Sequence, residues 1–475
     1  MEQASCLFRR RLQYASYTRK NTKNKVFYPI ATAKTIKNFL ISETLAIVTA
    51  SSFFQTSVTS VTSVTESVAE LPSSIALTLI MMMQYRRFGR TELSMPVFSC
   101  GGMRYQYKWQ DVPANEIPSD NQQNLEATIR YSVECGINHI ETARGYGTSE
   151  MQLGWILPKF PREKLIVQTK VNPKPNSQEF REEFDKSLAY LQLEYVDLLS
   201  LHGINTWELL EESMRPGGCM DVAKKLQTEG KVRFIGFSTH GPTDVIVKTI
   251  ETNQFDYLNL HWYYINQSNW PAIEAAKRHD MGVFIISPSD KGGQLYSPPQ
   301  KLVDLCYPLS PMVFNDLFCL SHPQVHTLSL GAAKPEDFNE HLKAVELLDR
   351  ADEILPPILA RLENAAINKL GEDWFKTCHV GLPTIENTPG GINIYVILWL
   401  WNLAQAYDTI DYCKMRYNLL GNAGHWFPGQ KADRLNELDL RRCLAHSPHA
   451  AKIPGILQAA DRLFGGEAIQ RLSQE

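Results

Sequence analysis

The chain has 475 residues, 44% of them hydrophobic, and a formal net charge of -3. That is enough for one large core with a smaller attached unit, and a near-neutral balance without a basic stripe excludes a nucleic-acid-binding surface as the organising feature. Nine cysteines are scattered without a CxxC pair, which suits a reducing compartment and a cytoplasmic location better than a disulfide scaffold.

Residues 1–40 hold nine Lys or Arg against the single acid Glu2, and residues 41–83 have no basic residue but many Ser, Thr and Val. The run Leu71 to Met83 is too short for a membrane span. Residues 1–83 therefore read as a disordered or spurious extension, with Met81, Met82 or Met83 as the functional start, against the alternative of a targeting segment. From Gln84 the texture changes. Tyr85 to Val97 reads as two short strands around a turn pivoting at Gly89.

Strand-like runs follow at Val97–Cys100, Ile137–Thr142, Leu165–Val171, Val196–His202, Val232–Ser238, Tyr257–Tyr263, Gly282–Ser287 and Val325–Leu330. Between them lie stretches with helical spacing, at Gln122–Glu134, Ser149–Leu157, Ser177–Leu191, Cys219–Glu229, Thr243–Glu251, Trp270–Arg278 and Pro335–Leu348, and the stretch Lys301–Phe318 supplies the remaining crossover. Eight such units predict an α/β fold, a (β/α)8 TIM barrel, with a smaller, mainly helical C-terminal domain. An open doubly wound sheet has the same rhythm, but Glu141, Lys170, His202, Ser238 and Ser287 all fall near strand ends. In a barrel those ends converge on one face.

The string His139-Ile-Glu-Thr-Ala-Arg-Gly-Tyr-Gly-Thr-Ser-Glu150 resembles the aldo/keto reductase signature. Gln168-Thr-Lys170, Asp197 to His202, Gly236-Phe-Ser238 and Ser287-Pro288 follow in the family's order, and the likeness covers about Gln84–Leu348. It implies Tyr146 as general acid, Lys170 as its pKa-lowering neighbour, His202 as the group that orients the carbonyl, and Glu141 where the family usually has Asp. Hydride delivery builds negative charge on oxygen, so a donor must stand beside that atom. The extra methylene of Glu141 lengthens the arm by ~1.3 Å.

The same resemblance implies NADP(H) as cofactor; no GxGxxG fingerprint supports a Rossmann site. Nicotinamide-side contacts map to Ser238, to Thr239 in place of Asn, and to Asn259 in place of Gln, with Trp262 in the usual place of the stacking Tyr. Ser287 to Gly293, including Lys291 and Gly292, resembles the phosphate-facing loop, and Gly331 to Lys334 resembles the loop that holds the adenosine 2′-phosphate at a helix start. Tyr105, Tyr107, Trp109, Trp262 and Tyr263 suggest a partly apolar pocket for a small-molecule carbonyl or quinone substrate. The alternative is a catalytically weak or inactive NADP(H)-binding regulatory or interaction protein.

Residues 349–475 form the second unit. Ile354-Leu-Pro-Pro-Ile-Leu359 is apolar but interrupted by its prolines, and Ile394–Leu403 reads as a helix too short to cross a membrane. Some aldo/keto reductase relatives carry two runs of Cys-x2-Cys-x2-Cys-x3-Cys-Pro here, the spacing of iron–sulfur ligation. The corresponding places are Cys378, Gly381, Thr384 and Thr388 before Pro389, then Glu437, Leu440, Cys443 and Ser447 before Pro448. Two thiols of eight imply a degenerate ferredoxin-like domain without an iron–sulfur cluster. No His or Cys elsewhere has metal-ligand spacing, so no metal site is expected.

Overall fold

The computed structural model describes residues 83–421 and 428–466. The extension read over residues 1–83 lies outside these residues apart from Met83, and the rest belongs to one unit. A hairpin of β1 (Tyr85–Arg87) and β2 (Ser94–Pro96) opens it. At its turn Gly89 has φ +55°, and a Cβ there would lie 2.5 Å from the Asp280 carbonyl oxygen, so glycine is required.

Eight parallel strands then close into a barrel. They are β3 (Phe98–Gly101), β4 (His139–Glu141), β5 (Ile166–Val171), β6 (Val196–His202), β7 (Val232–Ser238), β8 (Tyr257–Leu260), β9 (Gly282–Ile285) and β10 (Thr327–Leu330), and β10 returns to pair with β3. The expected barrel is thus the observed one. Phe88 from the hairpin packs with Ile166, Leu198, Tyr257 and Phe284 in a buried cluster of its own, separate from the main core.

The crossover helices are α1 (Ser119–Glu134), α2 (Ser149–Gly154), α3 (Ser177–Leu191), α4 (Trp207–Met214), α5 (Cys219–Thr228), α6 (Thr243–Glu251), α7 (Trp270–Arg278), α8 (Gln300–Cys306), α9 (Pro311–Leu320) and α10 (Phe338–Leu347). Local chemistry sets several of their starts. Asn176, Thr206 and Ser310 each accept a hydrogen bond from a backbone N–H in the first turn of α3, α4 and α9. Helix α4 was not anticipated, although its Thr206 cap is a readable signal.

Beyond the barrel the chain is helical, with α11 (Ala351–Leu370), α12 (Glu372–Thr377), α13 (Ile394–Tyr407), α14 (Ile410–Tyr417) and α15 (Ile453–Phe464). Here the structure corrects one expectation, because Pro356 and Pro357 sit inside a continuous α11. They are its sixth and seventh residues, so the Asp352 and Glu353 carbonyls lose their intrahelical donors, a cost offset by packing of the helix's buried face. Helix α13 docks on the barrel: Trp399 Nε1 donates to the Ile265 carbonyl at 2.8 Å, and the Tyr407 and Tyr264 hydroxyls lie 3.4 Å apart. Among the described residues no helix is long and apolar enough to cross a membrane.

Candidate active site

Strand register builds the site. His202, the last residue of β6, is paired with Ser238, the last of β7, and Ser238 is paired with Asn259 on β8. On the other side Gly101 of β3 is paired with Glu141, the last residue of β4. Lys170 occupies the next-to-last position of β5. The polar residues expected at strand ends are therefore arrayed around one rim of the barrel.

Glu141 and Lys170 are both buried and form an ion pair, and Lys170 Nζ also donates to the Thr142 carbonyl at 2.8 Å. The longer arm of glutamate fits for a specific reason. Gly101 faces the carboxylate, and a Cβ at that position would lie 3.3 Å from Glu141 Oε2 and 2.6 Å from Ser329 Oγ. The missing side chain leaves room for the extra methylene, and Ser329 Oγ donates to Oε2 at 3.3 Å. Gly101 and Ser329 were not anticipated; nothing in the linear sequence pairs them with Glu141.

Tyr146 lies on the loop after β4, half-buried. The Lys170 ammonium is 4.6 Å from its ring centroid, and the His202 and Trp109 rings meet it edge-on at 5.9 and 6.0 Å. Surrounding protein pushes the phenol above its ordinary value of 10, so the resting hydroxyl keeps its proton. Burial also draws the Lys170 ammonium well below its ordinary value, a shift the contacting Glu141 carboxylate opposes. The loop itself is pinned by Arg144, which pairs with Asp111 and with the buried Glu150.

Beside this loop lies a cavity of about 300 Å³ whose lining includes Trp109, Asp111, Arg144, Asn172, Lys174 and Lys186. It is polar, where a partly apolar pocket was expected, and Tyr146, Lys170 and His202 do not line it. Of the five aromatics expected to line one, Tyr105, Trp262 and Tyr263 are core residues, and only Trp109 borders the cavity.

The residues assigned to a cofactor fall into three groups. At the ends of β7 and β8, Asn259 is fully buried, yet neither its Oδ1 nor its Nδ2 has a hydrogen-bond partner. Such an amide wants a polar ligand group. Ser238 Oγ beside it accepts from Gly203 N at 3.1 Å, and Thr239 Oγ1 donates to the Ile204 carbonyl at 2.8 Å.

After β9, Ser287 has a left-handed backbone, φ +54°, and Gly292 is so tightly turned that a Cβ would meet the Pro288 carbonyl oxygen at 1.9 Å. Lys291 is not an outward cation: it is buried, with Nζ 3.1 Å from His261 Nε2 and 3.2 Å from His240 Nδ1. After β10, the Gly331 carbonyl accepts from Arg104 Nη1 at 2.6 Å and from the Tyr296 hydroxyl at 3.0 Å. Lys334 is exposed where the chain enters a 3-10 turn leading into α10.

Trp262 requires a correction. Its ring stacks on Phe318 at 5.2 Å and also meets Trp270 at 5.2 Å and His322 at 4.8 Å. It is thus enclosed by side chains of α7 and α9 and by His322 two residues beyond α9, 1% exposed, and is not at the rim where a nicotinamide would stack. The physical reason is that β8 ends at Leu260, and a two-residue alternation from the inward Asn259 turns position 262 outward.

Residues 99–288 match the model of the aldo/keto reductase family. Over these residues the barrel is similar to the aldo/keto reductases. The chain is 27% identical over 190 residues to an NADH-specific methylglyoxal reductase of Escherichia coli (strain K12), a match covering 35% of this chain and 56% of that protein. It is 32% identical over 180 residues to an L-galactose dehydrogenase of Arabidopsis thaliana, covering 35% and 55%. The chain thus spans little more than half the length of these curated relatives. The holo form of an aldo-keto reductase from Bacillus halodurans superposes with a TM-score of 0.50 at 21% identity, over 59% of this chain and 96% of that one, which shows the shared fold.

The matched segment contains the Tyr146, Lys170, His202 and Glu141 cluster but ends before Lys291 and Lys334. Among the described residues, no group of three or more His, Cys, Asp or Glu is placed to hold a metal ion.

Proposed function

We propose that this chain is an NADPH-dependent reductase of aldehydes, ketones or quinones, with Tyr146 as the general acid. The observation that carries the reading is the contact set around Tyr146: a protonated phenol packed on Lys170 of the Lys170–Glu141 ion pair and met edge-on by His202. The cofactor, when bound, supplies the hydride. Tyr146 gives its proton to the carbonyl oxygen as negative charge builds there, and the ammonium of Lys170 stabilises the phenolate left behind. His202 orients the carbonyl oxygen toward the phenol. Glu141 holds the ammonium in place.

Asn259 is the residue suited to a carboxamide, since a buried amide with open donor and acceptor matches that group. Ser238 and Thr239 flank it. Ser287, Lys291 and Gly292 would border the pyrophosphate of a bound cofactor, and Gly331 and Lys334 its 2′-phosphate.

We also read residues 349–475 as descended from a ferredoxin-like unit. The two aligned runs lie side by side, with Gly381 against the His446 carbonyl and Gly390 against Leu438. Cys378 and Cys443 make separate contacts, to Asn402 and to the Leu440 carbonyl.

The test is turnover of NADPH with a panel of carbonyls and quinones by the wild type and by Tyr146→Phe. Loss of the acid should lower kcat by about 10²- to 10⁴-fold while leaving NADPH affinity nearly unchanged. Binding without turnover in the wild type would favour the regulatory alternative. Undiminished turnover by the variant would remove Tyr146 from its role.

A further inference from the structure

The loop after β9 is held in place from outside the barrel. It carries two left-handed non-glycine residues, Ser287 and Gln294, each at φ +54°, and Gly293 at φ +129°. Backbone of this kind persists only where its surroundings over-determine it. Part of the hold is internal: Lys291 N donates to the Ser287 carbonyl, and Leu295 N to the Ser289 carbonyl. The rest comes from α14 in the C-terminal region. Tyr412 donates its hydroxyl proton to the Lys291 carbonyl at 2.8 Å, and Arg416 Nη2 donates to Asp290 Oδ2 at 2.8 Å.

These two residues are four apart and so share one face of the helix. Both are buried, Arg416 completely, whereas Asp290 keeps 24% of its side chain exposed. The helix that presents them is itself anchored: Tyr417 donates to Asp461 Oδ1 at 2.6 Å, and Cys413 Sγ to the Leu400 carbonyl at 3.2 Å.

Charge gives the arrangement a direction. A carboxylate in a loop that meets phosphate oxygens repels them, and a guanidinium bonded to that carboxylate removes the repulsion while fixing the loop. We infer that Tyr412 and Arg416 are positioning residues for the cofactor: the C-terminal region latches the 287–294 loop in the shape that receives the pyrophosphate and masks Asp290 as it does so. This rests on the NADP(H) reading above. It assigns the appended region a part in cofactor binding that needs no metal centre within it.

The pyrophosphate is common to NADPH and NADH, whereas the 2′-phosphate is not, and this separates the latch from a general loss of integrity. Dissociation constants for both cofactors are measured on the full chain by the change in protein fluorescence, for the wild type and for Tyr412→Phe, Arg416→Gln, Asp290→Asn/Arg416→Gln and Lys334→Met. Tyr412→Phe deletes one oxygen and should weaken both cofactors about fivefold, the usual worth of one hydrogen bond. Arg416→Gln should weaken both by more than about tenfold, and adding Asp290→Asn should recover much of that loss, because no bare carboxylate then faces the phosphates. Lys334→Met should weaken NADPH alone.

Because Arg416 is buried, its variant could be lost to misfolding; Tyr412→Phe keeps the test decisive. Unchanged affinity of Tyr412→Phe for both cofactors overturns the latch. So does a folded Arg416→Gln that binds as the wild type does. A wild type that binds neither cofactor brings down the NADP(H) reading itself, and the latch with it.

Discussion

Replacing Gly101 by alanine probes how this barrel accommodates Glu141. The new methyl would lie 2.6 Å from Ser329 Oγ, 3.0 Å from the Leu330 carbonyl oxygen and 3.3 Å from Glu141 Oε2. Against an ordinary carbon–oxygen contact of about 3.5 Å, the first overlap approaches ~1 Å. The Leu330 oxygen belongs to a paired strand and cannot swing aside. Ser329 can rotate, but only by giving up its bond to the carboxylate. The strain should cost about 1–3 kcal/mol of stability. Displacing the carboxylate by several tenths of an ångström also loosens Lys170 beneath Tyr146, and misplacement by ~1 Å costs on the order of a hundredfold in rate.

Glu141→Asp shortens the arm by ~1.3 Å and vacates the space the methyl takes. The double variant should therefore exceed Gly101→Ala in kcat by at least about tenfold, a recovery of about 1.4 kcal/mol, and the coupling is larger still by whatever Glu141→Asp costs alone. The assay is steady-state reduction of the best substrate in the carbonyl panel, completed as a four-variant cycle with thermal unfolding alongside. If Gly101→Ala melts and turns over as the wild type does, or if the two single losses simply multiply, the room made by Gly101 is irrelevant to Glu141.

That pairing also shows where reading the sequence stops. Strands β6 and β7 and helices α3, α6 and α7 were readable to the residue, because each is an apolar pattern bounded by polar or turn-forming residues. His202, Ser238 and Asn259 were legible as strand-end residues, and parallel register brings them into one row. Trp262 was misassigned because the strand was drawn through Tyr263, while alternation from Asn259 already counted against an inward ring. Contacts between distant segments leave no periodic trace. Gly101 and Glu141 are separated by a whole β/α unit, and Asp290 meets Arg416 across 126 residues. In α11 local propensity was overridden, since two prolines sit in a helix whose apolar face is buried by packing.

Two further outcomes follow from side chains buried away from the chemistry. Trp262→Phe should lower stability by about 1–3 kcal/mol through the space left among Trp270, Phe318 and His322, with NADPH affinity nearly unchanged. A tenfold weaker affinity would return Trp262 to the cofactor site. The second concerns acid. His139 is fully buried in β4 with Nδ1 2.6 Å from Ser99 Oγ, and burial lowers its pKa from 6.5 to about 3. The folded state therefore refuses a proton that the unfolded chain accepts. This contribution to stability is complete above the unfolded value of 6.5 and is lost progressively as pH falls toward about 3. Each pH unit in that window costs about 1.4 kcal/mol, so acidification by two units should remove nearly 3 kcal/mol. His326, lowered to about 4 mainly by burial, adds to the same slope. Denaturant unfolding across this range should show His139→Gln with a shallower loss of stability than the wild type, whatever its stability at neutral pH. An identical slope would mean that the imidazole takes its proton in the folded barrel, and that the Ser99–His139 contact can accept a charge the surrounding strands cannot solvate.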